Sequence, residues 1–322
     1  MRLRVGRFVS AALAALVIAC GSGGGEQSGG GRPRVAVSIF PLYDVARRVA
    51  GDRLDVVCVL PPGRSEHGYD PTPREVARVA DARLAVLVGL EMDEWAERIV
   101  RGASDAEPEM LELGPRLEPR RLTAHEVGDE LDEHEDEEHH DDGAHEDEHH
   151  HHHGGIDPHF WLDPVRMRRA VPLLVEAFSR IDAEGAAGFR ERGAQVEAEL
   201  GRLHDEIDAR ARAWTRRTIV TFHGSFGYYA ERYGLNIAAV IEPFPGREPT
   251  PRYMQDVLGA IRASGAAALF SEPQLDPRPA RVVAQQANVP LFELDPIGGS
   301  GTSTSYEALL RANTDVLERA LR

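Results

Sequence analysis

Short runs of β-branched residues alternate with helical patterns from Arg34 to the C-terminus, and this alternation limits the possible folds most strongly. Such alternation is typical of parallel sheets with helices on both faces. We therefore predict an α/β protein. The pattern predicts helices at residues 42–50 and 72–80, and strands at residues 35–39, 54–60, 84–88, 218–222, 237–241, 267–270 and 291–293.

One helical pattern is much longer than the others and lies between the two groups of strands. Apolar residues recur three or four positions apart up to Trp214, which predicts a helix over residues 184–214. About thirty helical residues span about 45 Å, enough to cross from one lobe to another. We predict two α/β lobes, residues 34–183 and 215–322, joined by this rigid helix.

The N-terminus predicts export and a lipid anchor. Three arginines precede an apolar run over residues 8–19, so we assign residues 1–19 to a secretory signal peptide. The small residues before Cys20 resemble a bacterial lipobox, in which the cysteine is lipidated, and the glycine-rich residues 20–33 predict a flexible tether. An ordinary signal peptide that contains a cysteine is the alternative. We expect the mature protein to be periplasmic or on the outer face of a bacterial membrane.

The negative net charge comes almost entirely from one segment. The chain has 37 basic and 53 acidic residues, a net charge of −16, and residues 122–155 hold 14 of the acidic residues and no basic ones. The rest of the chain is nearly neutral and has no basic stripe. This pattern argues against a nucleic-acid partner.

The same acidic segment contains ten of the fourteen histidines and too few apolar residues to bury a core, so we predict that it is disordered. Imidazoles beside carboxylates suit several divalent ions without a fixed geometry. We predict a low-affinity, metal-collecting loop. Its histidines are His125, His134, His139, His140, His145, His149, His150, His151, His152 and His153.

Four other residues stand where ligands bind in open α/β sheets, just beyond a strand or at the start of a helix. His67, His223 and Asp295 follow predicted strands, and His159 precedes a helix. Three imidazoles and one carboxylate suit tetrahedral zinc, whereas manganese favours more oxygen ligands. Glu66 is a competing or supplementary oxygen donor, and a solvent-facing loop carboxylate is its alternative interpretation.

Five stretches of sequence are similar, in the same order, to the solute-binding proteins of zinc and manganese ABC transporters: residues 60–73, 157–164, 223–230, 272–274 and 294–298. The resemblance covers nearly all of the mature chain. It implies one metal ion between the lobes, bound by His67, His159, His223 and Asp295. A histidine at the position of His223, and an acidic histidine-rich loop, are typical of zinc members. We therefore expect Zn²⁺, with Mn²⁺ as the alternative.

The resemblance implies a monomeric, non-enzymatic receptor that binds zinc with high affinity and passes it to an ABC transporter permease in the membrane. A secreted zinc hydrolase is one alternative, because three histidines with an open position also form catalytic sites. The chain has no His-Glu-x-x-His run, and Asp295 would occupy the position that water needs, leaving Glu66 as a general base. A zinc buffer or adhesin built on the histidine-rich loop is the other alternative.

Overall fold

The computed structural model describes residues 31–127, 155–301 and 303–322, which form two parallel four-stranded sheets with helices around them. The predicted signal peptide, Cys20 and most of the predicted tether lie outside the described residues. So do nine of the ten histidines of the acidic segment. None of the described helices is both long enough and apolar enough to cross a membrane.

The first sheet has the strand order β2–β1–β3–β4, and all its strands are parallel. The three strands and two helices predicted here are confirmed with shifted ends, whereas β4 and α3 were not predicted from the sequence. The strands are β1 (Arg34–Val37), β2 (Asp55–Cys58), β3 (Ala82–Leu87) and β4 (Glu109–Glu112). The helices between them are α1 (Phe40–Ala50), α2 (Pro73–Arg78) and α3 (Glu94–Gly102).

The start of the acidic segment belongs to the fold. The Leu122 amide donates to the Gly155 carbonyl at 2.8 Å, and the one-turn helix α4 (Ala124–Val127) follows. Glu126 in this turn is buried and paired with Arg120. The ordered residues 122–127 differ from the predicted disorder, because the ion pair that holds Glu126 is not visible in the composition of the segment.

Two helices connect the sheets, α5 (Pro164–Ile181) and the long α6 (Ala186–Arg212). The linking helix predicted over residues 184–214 is confirmed, and its 27 residues span about 40 Å. It begins later than predicted because Ala183–Gly185 form a 3₁₀ turn, in which the Asp182 side chain accepts from the Gly185 amide at 3.3 Å.

The second sheet repeats the topology of the first, with the parallel order β6–β5–β7–β8. All four predicted strands are present: β5 (Thr218–Thr221), β6 (Asn236–Val240), β7 (Leu269–Ser271) and β8 (Leu291–Glu293). The helices of this lobe are α7 (Gly227–Tyr233), α8 (Pro251–Ser264), α9 (Arg278–Ala287) and α10 (Tyr306–Leu321).

Buried hydrogen bonds hold the two lobes together beside the long helix. Trp161, before α5, donates from Nε1 to the Pro296 carbonyl of the second lobe at 2.8 Å. The Tyr306 hydroxyl donates to the Trp161 carbonyl at 2.6 Å, and its amide donates to Asp44 Oδ2 at 3.1 Å. Helix α6 packs against α1 and α5 of the first lobe and against α7 and α10 of the second. These contacts favour small relative movements of the lobes over a wide hinge.

Candidate metal centre

The parallel sheets bring the predicted ligands to the edges formed by the carboxyl ends of their strands. Glu66 and His67 lie in the loop after β2, and His223 lies two residues after the end of β5. His159 comes just before the 3₁₀ turn Phe160–Leu162, which leads into α5. The first lobe therefore supplies three donors and the second lobe supplies His223.

Local hydrogen bonds hold the segments that carry these ligands. The buried indole of Trp95 donates from Nε1 to the Glu66 carbonyl at 2.9 Å, which holds the loop after β2 against α3. Asp163 caps α5 by accepting from the Val165 amide at 2.9 Å. The same carboxylate accepts from Arg232 Nη2 of α7 at 2.7 Å. The segment that carries His159 is therefore anchored to both lobes.

The Nε2 atoms of the three histidines form a nearly equilateral triangle. His67 Nε2 lies 3.1 Å from His223 Nε2 and 3.4 Å from His159 Nε2, and the third side is 3.3 Å. Zinc–nitrogen bonds of about 2.0–2.1 Å at tetrahedral angles place nitrogens about 3.3–3.4 Å apart. The triangle therefore fits three ligands of one tetrahedral ion.

Glu66 adds a buried carboxylate to this triangle. Its Oε1 lies 3.8 Å from His67 Nε2 and 4.0 Å from His223 Nε2, and the residue is 1% exposed. Among the described residues Oε1 has no hydrogen-bond partner. Burial raises the pKa of Glu66 to about 7; His223 works against this shift and Glu272 adds to it. A cation in the centre would offset the cost of burying the ionised carboxylate.

Two further carboxylates orient the histidines, a role that was not predicted from the sequence. His159 Nδ1 lies 2.8 Å from Asp157 Oδ1, and His223 Nδ1 lies 2.8 Å from Glu272 Oε2. A proton on each Nδ1 leaves the Nε2 lone pair facing the centre, as metal ligation requires. The available signals were the position of Asp157 two residues before His159 and that of Glu272 directly after β7.

Burial and charge act in opposite directions on the pKa values of these groups. Burial raises the pKa of Asp157 to about 6, while the guanidinium of Arg120 acts to lower it. For His223, burial acts to lower the pKa, but the carboxylates of Glu272, Glu66 and Asp157 together outweigh it and the pKa is raised. The carboxylates around His223 therefore stabilise its protonated form.

Asp295 lies outside the group formed by Glu66 and the three histidines, whose ligand atoms are all within 4.8 Å of one another. Asp295 Oδ1 accepts from Gln274 Nε2 at 2.7 Å and from the amides of Ile297 and Gly298 at 3.1 and 2.9 Å. These bonds shape the turn after β8. Ligation by Asp295 stays a prediction. Within the described part of the acidic segment, His125 is exposed on α4.

Residues 35–320 match the protein family described as ZnuA, zinc-uptake complex component A, periplasmic. The chain belongs to this family. It is thus a metal-binding, solute-binding protein of an ABC importer, and the group of Glu66 and three histidines that could hold a metal ion lies where the two lobes meet.

Curated relatives carry names for two metals. The manganese-binding lipoprotein MntA of Halalkalibacterium halodurans is 25% identical over 98% of this chain and 97% of its own length. The high-affinity zinc uptake system protein ZnuA of Bacillus subtilis is 24% identical over the same shares. A crystal structure of ZnuA has a TM-score of 0.74 at 21% identity, covering 91% of this chain and all of its own, which supports the fold. The relatives' names therefore do not identify the metal, and the choice between zinc and manganese depends on the chemistry of the site.

Proposed function

We propose that this protein is the high-affinity zinc receptor of an ABC importer, and that it delivers one Zn²⁺ ion to the membrane permease. His67, His159 and His223 bind the ion, and Glu66 is the fourth ligand. The triangle of Nε2 atoms with sides of 3.1, 3.3 and 3.4 Å carries this proposal, because its size matches tetrahedral zinc.

The donor set favours zinc over manganese. Three neutral imidazoles and one carboxylate reduce the formal charge of a divalent ion from plus two to plus one, and nitrogen-rich, four-coordinate sites suit zinc. Manganese prefers more oxygen ligands. A manganese receptor is the second candidate, since Asp295 is a further carboxylate near Glu66 and the relative MntA is named for manganese.

Ligands from both lobes explain how one protein can both retain and release an ion. Moving His223 away from the histidines of the first lobe would remove a ligand, and a docked permease that favours the open form would lower the affinity. The bonds at Trp161 and along α6 favour a small tilt or loop movement for this step. A lipid on Cys20 would hold a monomer on the outer face of the membrane, beside the permease.

The acidic histidine-rich segment fits a collector of loosely bound ions that feeds the central site. A secreted hydrolase is disfavoured because Glu66 Oε1, 3.8 and 4.0 Å from two of the ligand nitrogens, is close enough to take the fourth position that a catalytic water would need. A zinc buffer built on the segment would bind several ions weakly, whereas the receptor binds one tightly.

Competition between metals tests the proposal. Metal-free protein would be equilibrated with equal concentrations of Zn²⁺ and Mn²⁺ in the presence of a chelator of known affinity, and the bound metals would be counted. We expect one tight equivalent of zinc, lost in His67→Ala and retained in the control His204→Ala, whose imidazole lies in α6. One tight equivalent of manganese would support the second candidate instead.

A further inference from the structure

Arg120 joins two buried carboxylates beside the metal centre. Its Nη1 donates to Asp157 Oδ2 at 2.6 Å and to Glu126 Oε1 at 2.9 Å, and its Nη2 donates to Glu126 Oε2 at 2.9 Å. Asp157 and Glu126 are both buried, and the Arg120 side chain is 13% exposed. Asp157 in turn holds Nδ1 of the ligand His159.

The same arginine contacts the second lobe through α7, which begins four residues after the ligand His223. The Arg120 amide donates to the Tyr228 hydroxyl at 3.0 Å, and that hydroxyl donates to the Asp157 carbonyl at 3.0 Å. Arg120 Nε lies 3.4 Å from Glu231 Oε2. A Cβ on Gly227 would lie 1.7 Å from Arg120 Nη1, so the guanidinium needs a glycine at the start of α7.

We propose that Arg120 is a positioning residue that sets the placement of His159 relative to His223 and thereby the affinity and geometry of the metal centre. Arg120 is connected to the His159 ring through Asp157. It is connected to the segment that carries His223 through its contacts with α7. The inference rests on the proposed metal site and adds a residue that touches none of the ligands in that site.

The chemistry of guanidinium explains why an arginine stands here. Asp157 and Glu126 are two buried anions at close range, and an intervening cation offsets both their repulsion and the cost of removing them from water. The planar fork binds both oxygens of Glu126 and still reaches Asp157. A lysine ammonium is a point charge without that fork, so it would hold one carboxylate well and the other poorly.

Three variants of the full chain test the role of Arg120. Arg120→Met removes the guanidinium but keeps an unbranched apolar chain, and Arg120→Lys keeps one charge. The matched control is Arg169→Met: Arg169 is an exposed arginine of α5 whose Nη1 donates to Glu118 Oε2 at 2.8 Å. For each variant we would measure zinc affinity by chelator competition and the visible absorption spectrum of bound Co²⁺, which reports coordination geometry.

Loss of a group that orients a metal-ligating histidine weakens metal binding roughly 10- to 100-fold. We expect a loss of this size and an altered Co²⁺ spectrum for Arg120→Met, a smaller loss for Arg120→Lys, and neither change for Arg169→Met. Unchanged affinity and spectrum in Arg120→Met would overturn the proposal. Equal losses in Arg120→Met and Arg169→Met would also overturn it, because they would show a general effect of removing an arginine from the first lobe.

If Arg120→Met does not fold, Glu126→Gln tests the positioning role of Arg120. This variant removes one anion that Arg120 binds and keeps the shape of the Glu126 side chain. We expect a loss of zinc affinity of about tenfold or less together with the altered Co²⁺ spectrum, and wild-type values for both would overturn the role of Arg120. A wild-type protein without a tight zinc equivalent would instead overturn the proposed function, so the two failures are distinguishable.

Discussion

His223 Nδ1 lies 2.8 Å from Glu272 Oε2, and both side chains are buried. The Glu272 carboxylate follows β7 and His223 follows the neighbouring strand β5, so the order of the sheet creates the pair. The carboxylate fixes the imidazole tautomer and ring orientation and makes Nε2 a stronger metal ligand.

Glu272→Gln should therefore lower zinc affinity by about 10- to 100-fold, because a neutral amide holds the Nδ1 proton less strongly. Chelator competition measures this change. Glu248→Gln, which alters an exposed carboxylate of the same lobe, should leave the affinity unchanged. Equal affinities in Glu272→Gln and the wild type would show that this pair does not tune the metal centre.

Glu66→Gln and Asp295→Asn together identify the fourth ligand. Glu66 Oε1 lies about 4 Å from two ligand nitrogens, whereas Asp295 Oδ1 accepts three hydrogen bonds within its own lobe. We expect Glu66→Gln to cost more zinc affinity than Asp295→Asn in the same competition assay. The opposite order would make Asp295 the fourth ligand and Glu66 a neighbouring charge.

Tyr306→Phe should destabilise the protein without removing a ligand. The hydroxyl donates to the Trp161 carbonyl at 2.6 Å in a fully buried contact between the lobes, and its loss leaves that carbonyl unsatisfied. The expected decrease in the free energy of unfolding is about 1–3 kcal/mol, measured by denaturant titration of the metal-free protein. The control is Tyr43→Phe, at a half-buried position in α1, and an equal decrease there would refute the special role of Tyr306.

Asp93 should make stability depend on pH in a predictable direction. Its carboxylate accepts from the amides of Val88 and Gly89 at 2.6 and 2.9 Å, closing the turn in which Leu90 and Glu91 have left-handed backbones. Burial nevertheless raises the pKa of Asp93 to about 6. Because this value lies above the unfolded value of about 3.9, the folded state retains the proton more strongly.

The stabilising contribution of that proton is complete below about pH 4 and is lost as the pH rises through about 6. Asp93→Asn does not titrate. The stability of the wild type relative to this variant should therefore fall by about 2–3 kcal/mol between pH 4 and pH 7. Denaturant titrations of both metal-free proteins at the two pH values measure the change, and a constant or rising difference would contradict it.

Hydrophobic patterning was sufficient to predict most of the fold. Seven of the eight strands in the described residues and the linking helix follow from it, because β-branched runs and a spacing of three or four residues mark buried faces. The edge strand β4 was missed. It reads Glu-Met-Leu-Glu and buries only Leu111 fully, so its sequence carries almost no strand signal.

The candidate site was predicted only in part, because the sequence shows which residues follow strands but not which side chains meet in the folded protein. Positions after strands located His67 and His223, since topology alone brings such residues together. The Arg120–Glu126 pair was not predicted, because its partners are set by tertiary packing and Glu126 stands in a segment whose composition indicates disorder. Geometry also placed Glu66, and not Asp295, beside the three histidines.

The central claim is that one tight zinc site lies between the lobes and is independent of the histidine-rich segment. The most direct measurement is a zinc titration, against a chromogenic chelator, of a protein in which a short glycine linker replaces residues 128–154. This deletion keeps Glu126 and the bond between Leu122 and Gly155. We predict one tight equivalent, which the same protein with His223→Ala loses. If deleting the segment abolishes tight zinc binding, or if tight binding persists in His223→Ala, the claim is contradicted.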